Sequence, residues 1–202
     1  MTPDQFFALV LFALTGSFTP GPNNTIATIT GANFGWRAAV PHILGVPFGF
    51  ASMLLAAAAG VAALILASST LIVAIKWLGI AYLLWLAWTL AHSRAQLADK
   101  ANGPFRLPLT FSQSALFQYL NPKAWMLTMA TAGAFLAGDR PLQRGAVVML
   151  VFSLCAFASL VVWAWLGAAL RQWLTQGTRL RAFNRCMAAL LAATALWMGF
   201  AA

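Results

Sequence analysis

The chain has 202 residues, of which 62% are hydrophobic and only 7% charged, with a formal net charge of +9. A soluble domain carries about a quarter charged residues, so this composition excludes a chain that stays in water alone. The cations sit in short stretches between apolar runs and not along one helix face beside stacking aromatics, which argues against a nucleic-acid binder and for the basic cytoplasmic loops of a membrane protein.

Six apolar blocks follow one another at about residues 5–34, 39–67, 70–91, 111–137, 145–170 and 186–201. The start, Met1-Thr2-Pro3-Asp4, lacks the basic region of a signal peptide, so the first block is expected to stay as a span. Pro41 to Ala67 and Gly145 to Leu170 hold no charged group apart from His42, and each exceeds the roughly 20 residues needed to cross a bilayer. Backbone in hydrocarbon must satisfy its own hydrogen bonds, and the in-out alternation of a membrane barrel is missing, so the blocks are expected to be helices. The expected fold is all-α, one transmembrane domain over residues 1–202. Its first repeat runs over about 1–91, a cytoplasmic loop over about 92–110, and a second repeat over about 111–202.

The first block is interrupted by Thr19-Pro20-Gly21-Pro22-Asn23-Asn24. Proline removes an amide donor and clashes with the preceding turn, so the helix should end there and restart with Pro22 in its first turn. The amino end of the restarted piece, with Asn23 and Asn24, would then face a cavity where a carboxylate can bind. The alternative is a structural kink whose polar groups are satisfied by neighbouring helices.

In the second block His42 follows Pro41, a first-turn residue, which places it at the membrane interface; a proton-carrying role is the alternative. Gly31-x-x-x-Gly35 and Gly45-x-x-x-Gly49 are small-residue spacings for close helix packing, and such faces also permit a homodimer. The third block contains Lys76, expected to snorkel outward, Gly79 at a helix crossing, and Tyr82 offering its hydroxyl to the interior.

The fourth block is interrupted by Asn121-Pro122-Lys123. Lysine at membrane depth is costly and normally faces the bundle interior or a watery cavity. Lys123 is expected to be the counter-charge for a substrate carboxylate or to join in proton coupling; the bland alternative is a side chain reaching the interface. Two interrupted blocks, each first in a set of three, point to two inverted three-helix repeats, because an odd number of spans forces the second copy to insert upside down. In that plan the broken helices meet near the midplane and mark the binding site.

Cations set the orientation. Arg37, then Arg94, Lys100 and Arg106, then Arg171, Arg179, Arg181 and Arg185 fall in the first, third and fifth loops, against Arg140 and Arg144 on the other side. This bias puts both termini outside. The chain has no Glu, and its acids Asp4, Asp99 and Asp139 all fall in the terminus or loops, which leaves neither a carboxylate proton relay nor a hard-cation site in the bundle. Cys155 and Cys186 lie far apart with no Cys-x-x-Cys, so no cofactor or metal is implied and both are expected to be inert. A metal-ion exporter would want carboxylate, His or thiolate ligands in the spans, and a membrane-embedded enzyme a nucleophile or acid–base pair.

Thr19-Pro20-Gly21-Pro22-Asn23, Gly31 and Gly35, Lys76-Trp77-Leu78-Gly79-Ile80-Ala81-Tyr82-Leu83 and Asn121-Pro122-Lys123 together resemble the LysE/RhtB family of bacterial amino-acid exporters over nearly the whole chain. Thr-Pro-Gly-Pro-Asn-Asn combined with Tyr82 to Trp88 looks most like the cysteine/O-acetylserine exporter branch. The resemblance implies export of an amino acid or derivative from the cytoplasm across the bacterial inner membrane in exchange for protons. Many members have Asp where this chain has Asn23, which favours a neutral zwitterionic substrate here. The expected substrate-binding set is Pro20, Gly21, Pro22, Asn23 and Asn24 from one half, Asn121, Pro122 and Lys123 from the other, and Tyr82.

Overall fold

The computed structural model of the chain describes residues 1–59, 68–92, 107–136, 140–174, 176 and 178–200. Among them all regular structure is helical: α1 (Pro3–Phe18), α2 (Pro22–Phe34), a 3-10 turn (Trp36–Ala39), α3 (Val40–Ala58), α4 (Ser69–Ala91), α5 (Phe111–Leu120), α6 (Pro122–Thr131), a π-helical turn (Ala132–Leu136), α7 (Pro141–Leu174) and α8 (Arg179–Phe200). Four stretches, Trp36–Ala58, Val73–Ala91, Leu142–Leu174 and Arg179–Phe200, are long and apolar enough to cross a membrane, and α1 is a shorter apolar helix. The Leu142–Leu174 stretch is only 22% buried within the protein over its most apolar window. Its outward Leu150, Leu154 and Trp165 suit contact with lipid.

Both expected helix breaks are present. α1 stops at Phe18, Gly21 adopts a fully extended backbone, and Pro22 opens α2; α5 stops at Leu120 and Pro122 opens α6. Each broken helix also starts with the same device. Thr2 and Gln5 at α1, and Thr110 and Gln113 at α5, form reciprocal capping boxes, in which each side chain bonds the other's backbone at 3.0–3.3 Å.

The packing crosses between the halves. α1 and α2 lie on α7, while α5 and α6 lie on α3; α3 and α7 touch each other, and α4 pairs with α8. The α4–α8 seam is apolar at helical spacing, with Ile80, Leu83, Ala87 and Leu90 against Ala188, Leu191, Ala195 and Met198. A second cluster, from Leu9, Ala13, Phe50, Met53, Ala124, Val148 and Phe152, joins α1, α3, α6 and α7.

Glycine sets how close these crossings come. A β-carbon on Gly31 of α2 would run into the Ala164 carbonyl of α7, and one on Gly167 of α7 into the Thr28 carbonyl of α2. Gly45 and Gly49 likewise face the backbone of Phe111 and Ala115 on α5, and Gly79 faces the Leu120 carbonyl. Gly35 departs from the expectation of a packing residue. At φ 89° it terminates α2, in a conformation L side chains rarely adopt. The small-residue faces at Gly31, Gly45 and Gly49 are thus used within the chain and not left for a second copy.

The last two blocks are longer than the apolar pattern suggests. α7 has 34 residues, about 51 Å at 1.5 Å per residue, and α8 begins at Arg179, so Arg179, Arg181 and Arg185 ride on its first turns and not in a loop. Hydropathy marks where hydrocarbon ends, whereas a helix continues wherever its charged side chains reach water. Lys76 does not simply reach outward: its Nζ donates to the Gly199 carbonyl at 2.8 Å, tying the start of α4 to the end of α8. Arg94, Asp99, Lys100, Arg106 and Asp139 lie outside the described residues, as do positions 60–67 at the end of the second block.

Replacing Gly31 with Ala is expected to destabilise the fold by about 1–3 kcal/mol, the usual penalty for overpacking a close contact. Thermal unfolding of the detergent-purified protein checks this, and an unchanged midpoint would show that the α2–α7 crossing can open at no cost.

Candidate functional site

Asn24 to Ala32 of α2 are all buried, and its polar side chains bond inside the protein, apart from Thr30, whose buried hydroxyl has no partner among the described residues. Thr25 and Thr28 turn back to the carbonyls of Gly21 and Asn24 at 2.9 and 2.8 Å. Further along, Asn33 pairs with Asn184 of α8, its Nδ2 donating to Asn184 Oδ1 at 3.1 Å.

The break between α1 and α2 frees carbonyls at the end of α1. Asn24 Nδ2 donates to Ser17 O at 2.9 Å and to Thr19 O at 3.1 Å, and the buried Ser159 of α7 donates to Ser17 O at 2.8 Å. Lys123, across the bundle, donates from Nζ to Thr19 O at 2.6 Å. The lysine stem also lies against Gly21, where an added β-carbon would sit 3.0 Å from Lys123 Cδ. The break in one half therefore holds the ammonium supplied by the break in the other.

The second break is held by Asn121, which is 2% exposed and caps α6 by accepting from Lys123 N at 3.1 Å. Asn23 pairs with Gln118 of α5 in both directions, Nδ2 to Oε1 at 2.8 Å and Nε2 to Oδ1 at 3.2 Å. By contrast, the cap of α2 is Gly21, which has no side chain to satisfy the first amides of the helix.

These groups line a partly open cavity of about 60 Å³, large enough to admit water. Its polar lining is Ser17, Asn23, Asn24, Gln118, Asn121 and Lys123; its apolar wall includes Val46, Phe50, Leu127, Phe152 and Leu160. Gly21 and Pro22 complete the α2 side. Of the residues expected at a site, Gly21, Pro22, Asn23, Asn24, Asn121 and Lys123 come together here. Pro20 and Pro122 shape the breaks without lining the cavity. Tyr82 does not reach it and packs its ring on Phe117, with centroids 5.1 Å apart.

Three lining or neighbouring side chains were missed from the sequence. Gln118 carried a signal, an amide in an apolar run four residues after Ser114 and three before Asn121, all on one helix face. Ser17 and Ser159 carried none. His42 is fully buried within the protein and does not reach outward, with Nδ1 3.0 Å from Ser114 Oγ and Nε2 3.1 Å from the Asn23 carbonyl. Pro41 does occupy the first turn of α3 and is exposed, but His42, next to it, points its ring inward, away from the surface that Pro41 and Leu44 occupy.

The LysE type translocator family matches residues 14–202 of the chain. The chain belongs to that family. Among the curated relatives of this translocator, the cysteine/O-acetylserine efflux protein of Klebsiella pneumoniae is 30% identical over 76% of this chain and 75% of its own length. The proteins of the same description from Salmonella choleraesuis and from Escherichia coli O1:K1 are 32% and 29% identical, each over 67% of both chains. No solved structure matches significantly. The protein is thus a multi-pass membrane translocator for a small molecule and not an enzyme.

Asn24→Ala is expected to lower stability by about 1 kcal/mol by removing one donor each from the Ser17 and Thr19 carbonyls, with little change in substrate affinity. Unfolding midpoints and transport KM measured on one preparation separate the two; a raised KM with unchanged stability would return Asn24 to direct substrate contact.

Proposed function

We propose that this translocator exports a small zwitterionic amino acid, cysteine-like or O-acetylserine-like, from the cytoplasm by proton antiport. The observation that carries the reading is the cavity where the two helix breaks meet. Lys123 and the side-chain-free amino end of α2 suit a carboxylate. The Asn23 and Gln118 amide oxygens suit an ammonium group, and the wall that includes Phe50 and Phe152 suits a short, weakly polar side chain. Asn23 is uncharged, and nothing anionic lines the cavity to favour a cationic substrate. The cysteine/O-acetylserine efflux activity of the relatives agrees with this chemistry.

The reading includes six spans in two inverted repeats, 1–91 and 111–202, within one transmembrane domain. Its support is the exchange of partners across the bundle, in which each broken helix lies on the middle helix of the other half, together with the paired capping boxes at Thr2 and Thr110. We place the chain in the bacterial inner membrane with both termini outside. Arg171 lies beside Gly35, so the α2–α3 turn with Arg37 and the α7–α8 junction with Arg179 share one end of the bundle, as one basic cytoplasmic side requires. A homodimer would have to use lipid-facing surface, because the glycine faces are occupied within the chain. A metal-ion exporter fits less well, since amides, a hydroxyl and a lysine are not a transition-metal ligand set.

Efflux from vesicles loaded with labelled cysteine or O-acetylserine tests the assignment. Lys123→Ala is expected to lower the rate at least tenfold, and Lys123→Arg to retain part of it. A well-folded Lys123→Ala protein that exports at the normal rate removes the carboxylate site.

A further inference from the structure

His42 sits where no surface group can explain it. It is 0% exposed on α3, one turn before Val46 and two before Phe50, both of which line the cavity. Its ring bridges two elements, reaching Ser114 Oγ of α5 through Nδ1 at 3.0 Å and the Asn23 carbonyl of α2 through Nε2 at 3.1 Å. A carbonyl oxygen only accepts, so Nε2 carries hydrogen in either charge state. The Ser114 hydroxyl is different, because it has a second partner, the Thr110 carbonyl at 2.8 Å.

This geometry accommodates two protonation states with one rotation. With neutral His42, the Ser114 hydroxyl donates to Nδ1. With a proton on Nδ1, the imidazolium donates to Ser114 Oγ, and the hydroxyl turns to donate to Thr110 O. Every polar hydrogen has an acceptor in both states, so neither leaves a buried donor stranded. A histidine held for structure alone needs only one of them.

We propose that His42 binds the proton that this translocator exchanges for its substrate, with the Ser114 hydroxyl as the switching partner. The inference rests on the antiport reading given above. A proton taken from the outer side adds to Nδ1; returned to the cytoplasmic side, it leaves Nδ1 as the lone-pair acceptor again, and no other bond changes. Exchange requires that proton and substrate exclude each other. The imidazolium lies behind Asn23, whose side chain lines the cavity, so its charge opposes a substrate ammonium at the Asn23–Gln118 pair.

Few other groups bear on this titration. Of the elements packed against α3, α2 has no ionisable side chain, α5 has Tyr119, whose hydroxyl lies 2.8 Å from Ser52 Oγ, and α6 has Lys123. α7 contributes Arg144, Cys155 and Arg171, and the 3-10 turn Arg37. No carboxylate lies on any of these helices, so protonated His42 has no anion to trap it, and release remains feasible.

The test uses the full-length protein in proteoliposomes with labelled O-acetylserine as probe. Two activities are compared: substrate–substrate exchange at equal pH, and accumulation driven by an imposed pH gradient. Wild type is expected to show both. His42→Gln, which keeps hydrogen-bonding capacity without titrating, should retain exchange within about threefold, lose gradient-driven accumulation at least tenfold, and flatten the pH profile of exchange. Accumulation at the wild-type level overturns the proposal, and so does loss of both activities in a folded His42→Gln protein, which would make the ring structural. Ser114→Ala should shift the midpoint of the pH profile while keeping coupling; an unmoved midpoint removes the hydroxyl from the scheme. Wild-type exchange that no pH gradient drives refutes the antiport reading itself, a result distinct from any behaviour of the variants.

Discussion

Opening a helix inside a membrane releases carbonyls and amides into a medium with no water to receive them, and the centre of this protein is arranged around where those groups go. At the first break the freed carbonyls of Ser17 and Thr19 are taken by Asn24, Ser159 and Lys123. These donors come from α2, α7 and α6, so satisfying one break recruits both halves of the chain. The freed amides at the start of α2 receive no such side-chain cap, because Gly21 has none to offer. The result is lopsided: an acceptor end engaged by side chains, and a donor end beside the cavity with no side-chain cap.

The same requirement explains why glycine recurs at the crossings. For Lys123 to reach Thr19, α6 must come close to the α1–α2 break, and Gly21 leaves room for the lysine stem. For α2 to be buried along nearly all its length, α7 must approach to backbone contact at Gly31 and Gly167. Larger residues at these positions would move the two breaks apart and enlarge the cavity beyond control by side chains. Close packing and an enclosed polar centre are therefore one constraint, met by the same few residues.

Much of this was legible in the sequence, for identifiable reasons. Prolines 20, 22 and 122 act locally on the backbone, so both breaks could be read without any tertiary information. Lys123 stood out because charge in an apolar run is costly wherever it lies. What could not be read depends on the third dimension. The first-turn position of His42 could be read from sequence, whereas the inward direction of its ring, against Ser114 and the Asn23 carbonyl, could not. Tyr82 has chemistry suited to a site, but its ring packs on Phe117 and stops short of the cavity. The extensions of α7 and α8 escaped because the composition of Pro141 to Arg144 and Arg179 to Arg185 reports water and headgroups and says nothing about where helical hydrogen bonding stops.

Lys123 needs a partner even when no substrate is present. A buried ammonium without a partner is far more costly than one held by a helix end, and the α1 carbonyls, at the negative end of that helix dipole, supply a partner at Thr19. On the proposed reading a substrate carboxylate competes with Thr19 for the same ammonium. The affinity then reflects only the difference between two good partners, which keeps binding weak enough for release. The competition has a mechanical side as well. Lys123 bonded to Thr19 ties one half of the chain directly to the other, whereas Lys123 bonded to a carboxylate ties them only through the cargo. A loaded carrier is thus held together by a contact that leaves with the substrate, and an empty one by a contact built into the chain. Such an arrangement lets the two halves rearrange around the cavity in both directions without exposing a bare charge to hydrocarbon.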